Sequence, residues 1–340
     1  MTFALSDPTG RLGAVRLDQE LGLRAGLDFT LRAGVWTFRL PRPPVDRMEY
    51  LLEITDRKGR RATITDPANP LRAGGAFGDK SVVQFPGYRE PAWLALAGVA
   101  DSLTPLSMRT RASDITISGV LWSPDQLAPG EPAPMLLVHD GPEYAQLGSF
   151  THYLGALIGE GTLPALRAAL LAPGDRNAWY SANPAYATSL STAGVAELDR
   201  LAPATVRIGV GVSLGALAIL HAHCSYPSTF DGLLLQSGSF FTPGLDAQES
   251  GFSGYGPVTA FVAEVGRARG GGRPVPIAMT CGGAEENLAN NQEMAETLTR
   301  LGYPVDFHEV RDTHNFTGWR DGLHPALTDL LTAVVGARAA

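Results

Sequence analysis

The chain has 340 residues, 44% of them hydrophobic and 18% charged, with a formal net charge of −7. That balance can bury one large core and a smaller one, and it excludes a disordered chain. The acidic charge and the lack of any Lys or Arg stripe argue against nucleic acid as a partner. No apolar run is long enough to span a bilayer, so no membrane association is expected. The opening Met1-Thr-Phe-Ala-Leu-Ser-Asp-Pro lacks a basic stretch followed by an apolar one, and a cytoplasmic location is the expectation. Cys224 and Cys281 sit in apolar contexts and read as two unpaired buried thiols.

In chain order, residues 1 to about 95 read as all-β. Leu27-Asp-Phe-Thr-Leu-Arg and Val35-Trp-Thr-Phe-Arg-Leu alternate apolar and polar positions across the turn Arg32-Ala33-Gly34. Met48-Glu-Tyr-Leu-Leu-Glu-Ile and Arg61-Ala-Thr-Ile-Thr follow, separated by Asp56-Arg-Lys-Gly59. Short strands with Gly and Asp turns at this spacing predict a small β-sandwich, ended by Asp66-Pro-Ala-Asn-Pro70. Residues 71–110 are mixed. The domain boundary is placed between about 95 and 110, giving a β-domain over 1–100 and a second domain over 101–340.

From about residue 113 the rhythm changes. Apolar runs at 115–122, 135–139, 168–172, 206–210, 232–236, 276–281 and 305–310 alternate with helical stretches at 150–159, 214–223, 289–301 and 325–335. Strands apolar on both faces and separated by helices predict an α/β domain with a doubly wound, mainly parallel sheet. Residues 244–272, with several glycines and Pro257, read as a loop over the site or a loose insertion.

The sharpest motif is Gly211-Val212-Ser213-Leu214-Gly215, with a β-type run before it and a helix-compatible Leu/Ala run after it. A serine on so tight a strand-to-helix turn has its Oγ pushed outward, and the following helix start aims N–H groups at a developing oxyanion. Chance produces the bare pentapeptide readily in a Gly-rich chain. The strand–turn–helix context lifts it above that background. Ser213 is therefore the candidate nucleophile.

His314, in Arg311-Asp-Thr-His-Asn-Phe-Thr-Gly-Trp-Arg320, is the candidate base, since it follows the last strand and precedes the terminal helix. Its bland alternative is a surface-loop histidine. His221 and His223 read as structural, His308 lies inside a strand, His324 starts the last helix, and His139 lines the site. The orienting carboxylate should end the strand between nucleophile and base, at Thr280-Cys-Gly-Gly-Ala-Glu-Glu-Asn287. Glu285 is the first choice, with Glu286 open as its rival, because acidic residues at a helix start also suit the macrodipole. The oxyanion donors are the N–H of Leu214 and that of Gly141 or Glu143, Pro142 having none. This chemistry needs no cofactor, and the one histidine pair near metal-ligand spacing, His221 and His223, points to different sides of a helix.

Four segments together resemble one family: Leu137-Val-His-Asp-Gly-Pro-Glu-Tyr144, Gly209-Val-Gly-Val-Ser-Leu-Gly215, Cys281-Gly-Gly-Ala-Glu-Glu-Asn287 and His314-Asn-Phe-Thr-Gly-Trp-Arg320. They are similar to the esterase branch of the α/β-hydrolases that includes enterochelin esterases, esterase D and feruloyl esterases. Asp175-Arg-Asn-Ala-Trp-Tyr-Ser-Ala-Asn183 is similar to that family's Arg-x-x-Glu-Tyr-x-x-Asn segment, with Trp179 where glutamate is usual. Gly34-Val-Trp-Thr-Phe, Glu49-Tyr, Asp66-Pro-Ala-Asn-Pro70 and Lys80-Ser-Val resemble the early-set sandwich that precedes the hydrolase in enterochelin esterases. The resemblance implies an α/β-hydrolase with a Ser213–His314–Glu285 triad. It implies substrate contacts from His139, Asp140, Glu143, Tyr144, Arg176, Glu286, Trp319 and Arg320. It further implies a small ester as partner, with a siderophore lactone as one member of that class. The sandwich is expected to wall the substrate cleft or to mediate a homodimer, and to affect substrate choice more than chemistry.

Overall fold

The computed structural model describes residues 1–23, 26–109, 115–270 and 272–339. They divide into two compact units. One comprises Met1–Arg89 with Gly282–Glu286 and Glu309–Gly318; the other comprises Glu90–Cys281, Asn287–His308 and Trp319–Ala340.

The front strands are β1 (Thr2–Ser6), β2 (Leu12–Gln19), β3 (Thr30–Arg32), β4 (Val35–Arg39), β5 (Arg47–Asp56), β6 (Arg61–Ile64), β7 (Arg72–Ala73) and β8 (Lys80–Gln84). They form one sheet ordered β1-β4-β3 and another ordered β2-β5-β8-β7, with β6 also on β5. All of their pairings are antiparallel. β1 alternates strictly between exposed and buried positions, as a strand with one covered face must. The buried set includes Phe3, Leu5, Val15, Leu17, Phe29, Trp36, Met48 and Tyr50 in one core. Phe3 anchors it edge-on to Tyr50, with ring centroids 4.8 Å apart. The expected strand over 27–32 shrinks to Thr30–Arg32, preceded by a single bridge from Asp28 to Arg16.

The second sheet runs β16-β15-β14-β13-β11-β12-β10-β9. Its strands are β9 (Asp101–Arg109), β10 (Thr116–Pro124), β11 (Ala133–Val138), β12 (Arg167–Leu171), β13 (Ala204–Val212), β14 (Gly232–Gln236), β15 (Ile277–Gly282) and β16 (Val305–Val310). The pairings from β12 through β15 are parallel, while β10 runs antiparallel to both β12 and β9. Every residue of β12, β14 and β15 is buried, as expected of parallel strands covered on both faces.

Helices connect these strands: α1 (Gly141–Leu147), α2 (Phe150–Gly159), α3 (Arg176–Tyr180), α4 (Pro184–Ser189), α5 (Val195–Leu201), α6 (Leu214–Ser225), α7 (Tyr255–Arg267), α8 (Leu288–Arg300), α9 (Phe316–Asp321) and α10 (Ala326–Ala339). The arrangement is an α/β-hydrolase sheet preceded by a β-sandwich.

Two expectations are corrected. Residues 244–272 are not a loose insertion: α7 buries Val258, Phe261, Val262 and Val265 on one stripe. Gly256 and Pro257 fall in its first turn, where a missing N–H costs nothing, so they mask a helix without breaking it. Residue 271 lies outside the described residues. Neither cysteine is in a disulfide, but only Cys281 is buried; Cys224 is exposed.

Candidate active site

β13 delivers Ser213 to the start of α6 with φ 55° and ψ −124°, a conformation that costs a non-glycine residue about 1–3 kcal/mol. The surroundings fix it there. The Ser213 N–H donates to the Gln236 carbonyl at 2.9 Å, and the Ser213 carbonyl accepts from Ala216 at 3.1 Å and Ser239 at 3.2 Å. A Cβ on Gly211 would stand 2.4 Å from the Gly215 carbonyl, so strand and helix can cross this closely only without one. Ser213 Oγ lies 3.3 Å from Ser239 Oγ. Leu214 and Gly215 open α6, where N–H groups have no acceptor within the helix.

Gln236 is itself anchored. Its side chain accepts from Tyr144 Oη and donates to Thr280 Oγ1 at 2.9 Å and to the Trp319 carbonyl at 3.0 Å. Trp319 Nε1 donates to Ser237 Oγ at 3.0 Å. The turn that bears Ser213 is thus supported by a buried polar network whose members each carry a hydrogen bond.

A second group of side chains sits past β15 and β16. Glu285 Oε1 accepts the Gly282 N–H at 2.7 Å, and Glu285 Oε2 is 2.5 Å from His314 Nδ1. The Glu285 side chain is 1% exposed, that of His314 29%. A carboxylate on Nδ1 puts the proton on that nitrogen and leaves Nε2 to accept another. Glu286, the rival, is exposed. The loop around His314 is braced by Arg47 of β5, which donates to Asp312 Oδ2 at 3.1 Å and Asn315 Oδ1 at 3.0 Å.

The segment after β11 is largely enclosed. His139, expected to line the site, has no exposed surface; its ring packs between Tyr180 and Tyr186, and Nε2 lies 2.9 Å from Tyr186 Oη. Burial pushes its pKa down to about 3, with the Arg176 cation adding to the effect. Tyr144 is equally enclosed, and Trp319 is nearly so; both face the Gln236 network. Tyr144 and Trp319 thus belong to the network that holds the Ser213 turn.

Asp140 takes a left-handed φ of 51° and accepts two 2.8 Å hydrogen bonds from the half-buried Arg176 guanidinium. Gly141 then opens α1, and a Cβ there would be 2.4 Å from Leu170 Cα. Glu143 follows in the first turn. Arg320 is paired with Asp321 at 2.7 Å.

Sequence reading missed the Arg47 brace, the Gln236 network and the Tyr180–Tyr186 walls. No local pattern marks them, since Arg47 and Asp312 are 265 positions apart.

Known proteins resemble this chain in sequence and in fold. The chain is 33% identical over 132 residues to the iron(III) enterobactin esterase of Dickeya dadantii, a match that spans 36% of this chain and 28% of that protein. Its fold matches the crystal structure of the enterobactin esterase Fes of Shigella flexneri solved in the presence of enterobactin, with a TM-score of 0.76 and 19% identity over 98% of this chain and 93% of that one. The ferric enterobactin esterase of Salmonella typhimurium gives a TM-score of 0.79 at 18% identity over the same shares. Among the described residues, no helix is long and apolar enough to cross a membrane. Residues 113–330 match the family described as "Putative esterase", well over half of the chain, and the protein belongs to that family.

Proposed function

We propose that the protein hydrolyses carboxylic esters through an acyl-enzyme on Ser213. The observation that carries this reading is the elbow: a serine at φ 55° between two glycines, held at the mouth of α6 in a member of an esterase family. His314 takes the Ser213 proton as Oγ attacks the ester carbonyl. Glu285 holds the imidazole in the tautomer that can accept it and stabilises the imidazolium that forms. The N–H groups of Leu214 and Gly141, each in the first turn of a helix, receive the oxyanion. The same imidazolium then protonates the leaving alkoxide, and water repeats the sequence to free the acid.

For the substrate we propose a catecholate trilactone of the enterobactin type. Support comes from the structural likeness, which extends over the front domain as well as the hydrolase. Mass spectrometry after treatment with a fluorophosphonate should find the adduct on Ser213. Absence of both an adduct and p-nitrophenyl acetate hydrolysis would overturn the reading. An ester panel with a catecholate trilactone, a feruloyl ester and an acyl thioester tests the substrate. Preference for either of the last two would replace the trilactone while leaving the mechanism in place.

A further inference from the structure

We infer that Arg47, on β5 of the front domain, is a positioning residue for the proposed reaction: its guanidinium clamps the loop that presents His314. The inference rests on the reading of His314 as the base.

Arg47 is 2% exposed, and its planar fork divides three ways. Nη1 reaches Asp312 Oδ2 at 3.1 Å and Asn315 Oδ1 at 3.0 Å, and Nη2 reaches Glu49 Oε1 at 2.8 Å. Asp312 and Asn315 bracket His314 in the chain. The second oxygen of Asp312 accepts the Thr313 N–H at 2.8 Å and Asn315 Nδ2 at 2.9 Å. Asn315 Oδ1 also accepts the Gly318 N–H at 2.8 Å. The main chain joins as well, for the Asp46 N–H donates to the Arg311 carbonyl at 2.8 Å. Residues on both sides of His314 are therefore tied to β5 or to each other, while the imidazole itself meets Glu285.

Burial pushes the carboxyls of Asp312 and Glu49 up from their ordinary range, and the Arg47 charge opposes that push. Apolar residues of similar volume stabilise a fold about as well as such a buried ion cluster. What the cluster adds here is geometry: one rigid fork fixes two points of a loop whose histidine must be placed closely. A misplacement of about 1 Å can cost about a hundredfold in rate. Lysine carries the charge without the fork and cannot hold the same points at once. On this inference the front domain serves the chemistry as well as any part it has in substrate choice.

The test compares Arg47→Lys with Leu17→Ala in the full-length protein. Leu17 is fully buried in the front-domain core, so its truncation loosens that domain without touching the clamp. Arg47→Lys should lower kcat on p-nitrophenyl acetate by about tenfold to a hundredfold, with KM held within about twofold. Leu17→Ala should lower Tm by at least as much and leave kcat unchanged. Proton NMR of the resting enzyme reads the His314 Nδ1–H resonance, which should shift or broaden in Arg47→Lys and stay in place in Leu17→Ala. Should Arg47→Lys not fold, the charge-balanced Arg47→Gln/Asp312→Asn pair takes its place with the same expectations. Wild-type kcat with an unchanged resonance, or an equal loss of kcat in Leu17→Ala, overturns the inference. Wild-type turnover in His314→Ala is a different result: it overturns the reading of the base, and the inference falls with it.

Discussion

Glu285→Gln tests the proposed acid most sharply, because the carboxylate uses both oxygens. One accepts the Gly282 N–H at 2.7 Å and the other meets His314 Nδ1 at 2.5 Å. Glutamine has a single oxygen. Kept on Gly282, it turns its NH2 toward Nδ1, which must then accept; the ring proton moves to Nε2 and the base is lost. Flipped, it restores the tautomer but sets its NH2 against the Gly282 N–H. Leaving that buried donor unpaired costs about 1–3 kcal/mol, so about one molecule in ten to one in a hundred is productive. Loss of the charge beside the imidazolium removes a charge-assisted hydrogen bond of about 1.5–3 kcal/mol, a further tenfold to hundredfold. Together these give a fall in kcat of about 10²–10⁴, the upper end being the loss seen when a triad carboxylate becomes an amide. Steady-state hydrolysis of p-nitrophenyl acetate, with Tm measured on the same samples, provides the assay. Glu286→Gln, an exposed change, should alter kcat by less than about threefold. A Glu285→Gln enzyme keeping more than about a tenth of wild-type kcat would refute the reasoning, and a larger loss in Glu286→Gln would transfer the role.

Ser213→Gly should abolish turnover and fluorophosphonate labelling while raising Tm. It releases about 1–3 kcal/mol of backbone strain against about 0.5–1 kcal/mol of added chain entropy; an unchanged or lower Tm would mean the φ of 55° is not strained. Gly211→Ala should lower Tm sharply, since its Cβ meets backbone and not a side chain that can swing away; a wild-type melting curve would contradict that packing. His139 predicts an acid limb in stability. Between its unfolded pKa of 6.5 and its folded value of about 3, the unfolded chain binds a proton the folded chain refuses. Stability from this group is therefore complete above pH 6.5 and is lost as pH falls through that window, at up to about 1.4 kcal/mol per unit. Urea denaturation at about pH 7 and about pH 5 should show a smaller acid loss in His139→Asn than in wild type, and parallel losses would exclude His139 as the source.

Much of the hydrolase fold is legible in the sequence because its signals are local. The apolar run 232–236 matches β14 residue for residue, and 150–159 matches α2. Strand and helix periods are written in windows shorter than the elements they define. The front sandwich is less legible: β1, β2 and β8 carry no run that stands out, since edge-rich antiparallel sheets need few consecutive apolar residues. Helix α7 is hidden by a glycine and a proline in its first turn.

The sequence alone sets the order of the proposed functional groups, Ser213 before Glu285 before His314, and the glycines that let the elbow form. Only the tertiary structure decides which carboxylate meets the histidine, and it is Glu285, turned inward to Gly282, while adjacent Glu286 faces out. It also decides that His139 and Tyr144 are buried, and that Arg47 of the front strand braces a loop 265 positions away. The physical reason is range. Turn chemistry and periodicity act between near neighbours and can be read from composition and spacing. Burial and hydrogen-bond partnership depend on which distant segments share a core, and that is fixed only when the whole chain has packed.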